Sequence, residues 1–189
     1  MRMSSQNPHS PLVTFVGGET GPWIIDRSEV IAGEPIGRAK RLDIKRGDFE
    51  PSQMSWVLRG AISHARYTTH EESLKLNAKQ PALGRVEATL AALIPIRKSS
   101  TWWSLAQDER RAIYEERSRH TTIGLEYLPR IARRLHHSRD LGESFDFLTW
   151  FEFAPEHEAA FDELLARLRA SEEWNYVDRE IDIRVRSVR

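Results

Sequence analysis

An α+β fold, with helices laid over a largely antiparallel sheet, is what this sequence of 189 residues predicts. Two observations carry that prediction. In the last third, Phe147, Thr149, Phe151 and Phe153 alternate with Leu148, Trp150 and Glu152, then Phe161, Leu164, Leu165 and Leu168 recur at helical spacing, then Ile181, Ile183 and Val185 alternate with charged residues. In the first third, short apolar runs are punctuated by glycine and proline and show no helical period. With 40% apolar and 9% aromatic residues, the chain can fill one core or two merged ones.

Residues 1–11, with Ser4, Ser5, Asn7, Pro8, Ser10 and Pro11, read as a flexible tail. Residues 12–16 form a strand closed by Gly17 and Gly18, a second strand surrounds Trp23-Ile24-Ile25, and residues 38–44 extend into a third. Residues 56–68 again read as extended, with Gly60 placed for a bulge. A short helix covers residues 69–79 and ends before Pro81. Residues 84–98 contain helix-permitting alanines, but Val86, Thr89, Ile94 and Ile96 around Pro95 favour an edge strand. Ser104 and Gln107 match a capping box that opens a charged helix ending at His120, and Pro129 interrupts any continuation. Pro155 suits the first turn of the last helix. The final strand, with Glu180, Asp182, Arg184 and Arg186 alternating, has one face in water. The strand–helix–strand order is that of a ferredoxin-like half, although no repeat is visible residue by residue.

Lysine plus arginine and aspartate plus glutamate each number 28, so no charge excess points to a nucleic acid or an anionic membrane. Cysteine is absent, which removes disulfides, thiolate nucleophiles, iron–sulfur clusters and thiolate-ligated haem. No span of about 20 apolar residues and no secretory leader pattern is present, so a cytoplasmic protein is expected. Gly17-Gly18-Glu19-Thr20-Gly21 lacks the lysine of a phosphate loop, and neither a dinucleotide fingerprint nor a zinc-protease motif occurs. His136-His137 reads as a solvated pair on a basic stretch, and His157 as a surface residue. Taken singly, His120 is a partly buried histidine, Lys98 an exposed strand-end charge, and Trp102 and Trp103 core or interface anchors.

The order of residues says more. His120-x-x-Ile-Gly-Leu-x-Tyr-Leu-Pro-x-Ile-Ala-Arg133 follows Lys98 and Trp102-Trp103 and precedes Phe147-Leu-Thr-Trp-Phe-Glu-Phe. Over roughly residues 12–186 this order resembles the chlorite dismutase family, and most closely its short, dimeric branch. The resemblance implies a haem b enzyme built as a ferredoxin-like α+β barrel, a homodimer that converts chlorite to chloride and dioxygen through a ferryl and hypochlorite intermediate. It implies a shortened N-terminal half over residues 12–98 and a haem-binding half over residues 99–189. It makes His120 the proximal iron ligand and Arg133 the distal arginine that attracts chlorite. Lys98 and Tyr67 match residues that meet the haem propionates, Gln80 the distal glutamine that can hold the arginine, and Trp102 and Trp103 the tryptophans beside the haem. Glu172 matches best the carboxylate that accepts the ligand histidine's proton, with Glu173 adjacent. Where the short branch often has asparagine near Tyr67, this chain has His64. A coprohaem decarboxylase lacks the arginine that Arg133 matches; a haem peroxidase or a non-catalytic haem-binding barrel are the remaining alternatives.

Overall fold

Alternation of apolar side chains along short strands produces a sheet with one buried face, and here that sheet closes on itself. The computed structural model describes residues 10–47, 49, 52–63 and 66–188; the first nine residues of the expected tail, and His64, lie outside them. Eight strands, β1 Leu12–Gly18, β2 Trp23–Ala32, β3 Arg41–Arg46, β4 Met54–Ile62, β5 Leu90–Lys98, β6 Ala132–His137, β7 Phe147–Phe153 and β8 Val177–Ser187, pair antiparallel throughout. Their order, β1-β3-β2-β8-β5-β7-β6-β4, is a closed barrel, which leaves no sheet edge to be protected.

The barrel is two sets of four strands joined at β2–β8 and at β4–β6. Within each set the order is the same, β4-β1-β3-β2 in one and β8-β5-β7-β6 in the other. The second set carries helices in both of its crossings. Between β5 and β6 lie α2 (Ser100–Ser104), α3 (Gln107–Arg111), a π-helical segment (Ala112–Arg117) and α4 (His120–Glu126); between β7 and β8 lies α5 (Glu158–Arg169), followed by a 3₁₀ turn (Glu172–Tyr176). The first set has no helix among its described connections, and α1 (His70–Lys79) follows it. Because β5 pairs with β7 and β8, we draw the division between the halves before Leu90 rather than after Lys98.

Two cores result. Phe15, Leu42, Leu58, Leu93, Leu148, Trp150, Ile181 and Ile183 fill the barrel. On the outer face of β5 and β7, Ile94, Ile96, Phe151 and Phe153 receive Phe161, Leu164, Leu165 and Leu168 from α5. Burial of each such side chain contributes about 1.5–3 kcal/mol.

Several expectations are corrected. β5 is central rather than an edge: Pro95 is tolerated because pairing to β8 skips from Leu93–Ile183 to Ile96–Glu180. Gly60 makes no bulge, since Val13–Gly60 and Thr14–Arg59 continue the β1–β4 register; a Cβ there would lie 2.6 Å from the His136 Cβ, so close packing explains the glycine. Ser104 caps nothing and donates its hydroxyl to the Thr101 carbonyl, while Ser99 caps α2 and Glu109 accepts from the Ala106 N–H before α3. His136 and His137 are buried, not solvated. Most of the expected wet face of β8 is covered: Arg186 is exposed, but Glu180, Asp182 and Arg184 are buried beneath α5, where Arg169 pairs with Glu180 and Asp182 at 2.7 and 3.1 Å and Arg184 with Asp182 and Asp162 at 2.5 and 2.8 Å. Charges at alternate positions look like a solvated face in sequence, but they equally suit a covered face on which every charge is paired. Among the described residues no helix is long and apolar enough to cross a membrane.

Candidate functional site

A cavity of about 350 Å³ opens between the outer faces of β5, β6 and β7 and a roof made by α1, the π-helical segment, α4 and α5. Its walls are mostly apolar, with Ile94, Ile96, Phe151, Leu164 and Leu168 among them, and its polar side chains arrive at a few points.

His120 enters from the roof. It does not end a helix as expected. The helix loosens into the π-helical segment at Ala112, Ser118 donates its N–H to Ile113 at 3.1 Å, and Arg119 turns left-handed at φ 55°, so that His120 opens a new helix, α4. His120 Nδ1–H donates to Glu173 Oε2 at 2.6 Å. The other oxygen of that carboxylate accepts from Lys98 Nζ at 2.7 Å, and Lys98 and Glu173 are both buried. Burial alone would raise the Glu173 carboxyl, but the facing His120 and Lys98 outweigh it and hold the group down to about 2. The imidazole is therefore tied at Nδ1 to an ionised carboxylate, which leaves Nε2 as the nitrogen available to a metal.

Glu172, the favoured partner in the sequence, is corrected: its carboxylate lies toward solvent, 3.4 Å from Arg117, and the 3₁₀ turn brings its neighbour Glu173 inward instead. Lys98 lines the cavity as expected, yet the partner it reaches is Glu173; it also lies 4.6 Å from the Trp102 ring.

Arg133 enters from the floor. Its guanidinium crosses to α4, where a Cβ on Gly124 would lie 3.3 Å from Nη1, and Gly124 is one turn along from His120. Among the described residues Arg133 has no carboxylate partner, although it is half-buried. Gln80, at the end of α1, also lines the cavity; its amide donates to the Arg133 main-chain carbonyl, so it holds the strand and not the guanidinium.

Tyr67 lines the mouth with a left-handed backbone, φ 61°. Arg110 donates to its hydroxyl at 3.2 Å, and Arg111 bonds its carbonyl while pairing with Glu72 at 2.7 Å, which fixes this strained residue. Trp102 is buried against the cavity, and among the described residues its Nε1–H has no acceptor. Trp103 is the second correction: it faces away from the cavity, donating to Asp146 at 2.9 Å and lying 4.1 Å from the Arg139 guanidinium.

Two further aromatics flank His120. Tyr114 stacks on the imidazole with centroids 4.4 Å apart and planes at 20°, and burial pushes its phenol far above the ordinary range. Trp174 lies nearly parallel to the imidazole with centroids 6.2 Å apart and donates its N–H to Glu180 at 2.7 Å. Regular helical counting cannot find Tyr114, because the π-helical segment between it and His120 changes the period.

A histidine backed by a buried carboxylate and a guanidinium with no carboxylate partner among the described residues line one apolar cavity, a donor set that could hold a metal cofactor beside a small anion. The comparisons with known proteins agree in kind. The family model described as chlorite dismutase matches residues 44–187. The crystal structure of the dimeric chlorite dismutase from Nitrobacter winogradskyi is 53% identical, covers 92% of this chain and 99% of that one, and superposes with a TM-score of 0.85. The chlorite dismutase of Ideonella dechloratans is 37% identical over 62 residues, which is 33% of this chain and only a fifth, 20%, of that protein's length. The chlorite dismutase from Candidatus Nitrospira defluvii, solved with imidazole, shares the fold at 19% identity, with a TM-score of 0.67 over 94% of this chain and 92% of that one. The chain belongs to the chlorite dismutase family.

Proposed function

We propose that this protein is a haem b-dependent chlorite O₂-lyase that converts chlorite to chloride and dioxygen. The observation that carries the reading is that His120, held by Glu173, and the Arg133 guanidinium, which has no carboxylate partner among the described residues, line one cavity. The residues present fit haem b. The cavity walls are apolar, one imidazole nitrogen remains for iron, and the buried Trp102 Nε1–H lacks an acceptor that a propionate would provide. When bound, the haem would supply the iron redox chemistry through which chlorine loses its oxygens.

The chain's own residues do the rest. His120 would hold the iron through Nε2, and Glu173 keeps the Nδ1 proton in place, which makes the imidazole a stronger donor. Lys98 holds Glu173 in turn. Arg133, permanently charged, draws in chlorite and retains a chlorine oxyanion until chloride and dioxygen leave; an arginine already neutralised by a carboxylate could do neither. Gln80 fixes the main chain from which Arg133 projects. Tyr67 and Trp102 would hold the cofactor's carboxylates. Similarity over nearly the whole of a dimeric chlorite dismutase supports a homodimer.

The test is oxygen release on adding chlorite to haem-loaded protein, with Arg133→Gln alongside. One O₂ per chlorite is expected from the wild type. The variant should keep its haem and turn over roughly 10²–10³-fold more slowly, the usual cost of removing one charge-stabilising donor. An unchanged rate of oxygen release from Arg133→Gln would contradict the role given to the arginine.

A further inference from the structure

The π-helical segment that precedes α4 contains a buried carboxylate that the proposed function does not use. Glu115 is only 8% exposed, and among the described residues it has no cationic partner within salt-bridge distance. Its Oε2 accepts from the Thr121 N–H at 2.6 Å and its Oε1 from the Thr122 N–H at 3.2 Å and the Thr122 hydroxyl at 2.5 Å. Arg119, which precedes α4, supplies no side-chain cap of its own. Glu115 therefore does for α4, from five residues before it, what a capping side chain does locally. The turn between that segment and α4 also reaches the other half of the proximal pair: the Ser118 hydroxyl accepts the Glu173 N–H at 2.8 Å.

We infer that Glu115 is the positioning residue for His120: its carboxylate sets the first turn of α4 so that the imidazole meets Glu173, itself fixed by Ser118. The inference deepens the proposed function, since it concerns how the iron ligand of that reading is aimed. The π-helical segment is what makes the arrangement possible. With one extra residue in the turn, Glu115 comes back over the amides that follow His120, a reach that the open N-terminus of α4 would otherwise leave to water. An alanine there removes both acceptors, and a glutamine keeps a single carbonyl oxygen.

The experiment uses the full chain without haem. The proton shared by His120 Nδ1 and Glu173 is followed by ¹H–¹⁵N NMR, together with hydrogen exchange at Thr121 and Thr122. In Glu115→Ala the shared proton should move upfield or vanish, and the two amides should exchange about tenfold faster or more, with a smaller change in Glu115→Gln. Thr69→Ala, which removes the cap of α1, is the control for general loosening and should leave the His120 proton in place. An unmoved His120 proton in folded Glu115→Ala, or an equal shift in Thr69→Ala, would overturn the inference. Should Glu115→Ala not fold, Glu115→Gln decides by the same signals. Haem-loaded Glu115→Ala should also show an altered ferric spectrum; if His120→Ala leaves that spectrum unchanged, the ligand assignment fails, while the apo signals still decide the part played by Glu115.

Discussion

The two four-strand sets share one pairing order and differ in what covers them. Around β8-β5-β7-β6, helices occupy both crossings, the outer face is a second core, and the cavity lies in it. Around β4-β1-β3-β2, the connections are short and β2 leaves residues 26–30 exposed. A barrel needs both sets to close, but a site needs a roof as well as a floor. The covered half therefore carries His120 and Arg133, and the bare half supplies closure and, through α1, one wall of the cavity.

That contrast is sharpest in the charges. Asp182 is buried under α5 between Arg169 and Arg184, so Asp182→Ala removes one of the two carboxylate partners of each arginine and should cost about 3 kcal/mol in denaturant unfolding. A loss below 1 kcal/mol would mean that α5 does not seal this face. His136 sits inside the barrel, on the strand that joins the two sets, where burial pushes it down to about 4 from the ordinary 6.5. Being neutral when folded, it is matched by a neutral unfolded state above pH 6.5. As the pH falls from 6.5 to about 4 only the unfolded state takes the proton, so stability present above 6.5 drops by roughly 3 kcal/mol over that window. The slope should flatten in His136→Gln; a slope unchanged by that substitution would assign it elsewhere. At the small end, Asp26 on β2 pairs with Arg186 at 2.8 Å with both side chains about half exposed. Asp26→Ala should cost about 0–1 kcal/mol, and a larger loss would break the distinction between covered and bare halves.

Much of this was legible before any coordinates. The alternations at 147–153 and 181–185 and the helical spacing of Phe161, Leu164, Leu165 and Leu168 mark elements whose burial is periodic, so local pattern suffices. The order of residues around His120 and Arg133 pointed to the family and to six cavity residues, namely His120, Arg133, Lys98, Tyr67, Trp102 and Gln80. What was not legible depends on irregular backbone. The 3₁₀ turn decides between Glu172 and Glu173, and the π-helical segment decides where α4 begins and what stacks on His120. Neither irregularity has a residue signature. Trp103 fails for another reason: neighbours in a short helix face different ways, and the buried Asp146 claims its indole.

The central claim is that the covered half holds haem b through His120. Apo protein titrated with haem b and followed by absorption tests it directly, with His120→Ala in parallel. The wild type should saturate at one haem per chain with a histidine-ligated ferric spectrum, and the variant should lose that spectrum and bind far more weakly. Equal saturation with an identical spectrum in His120→Ala would contradict the claim.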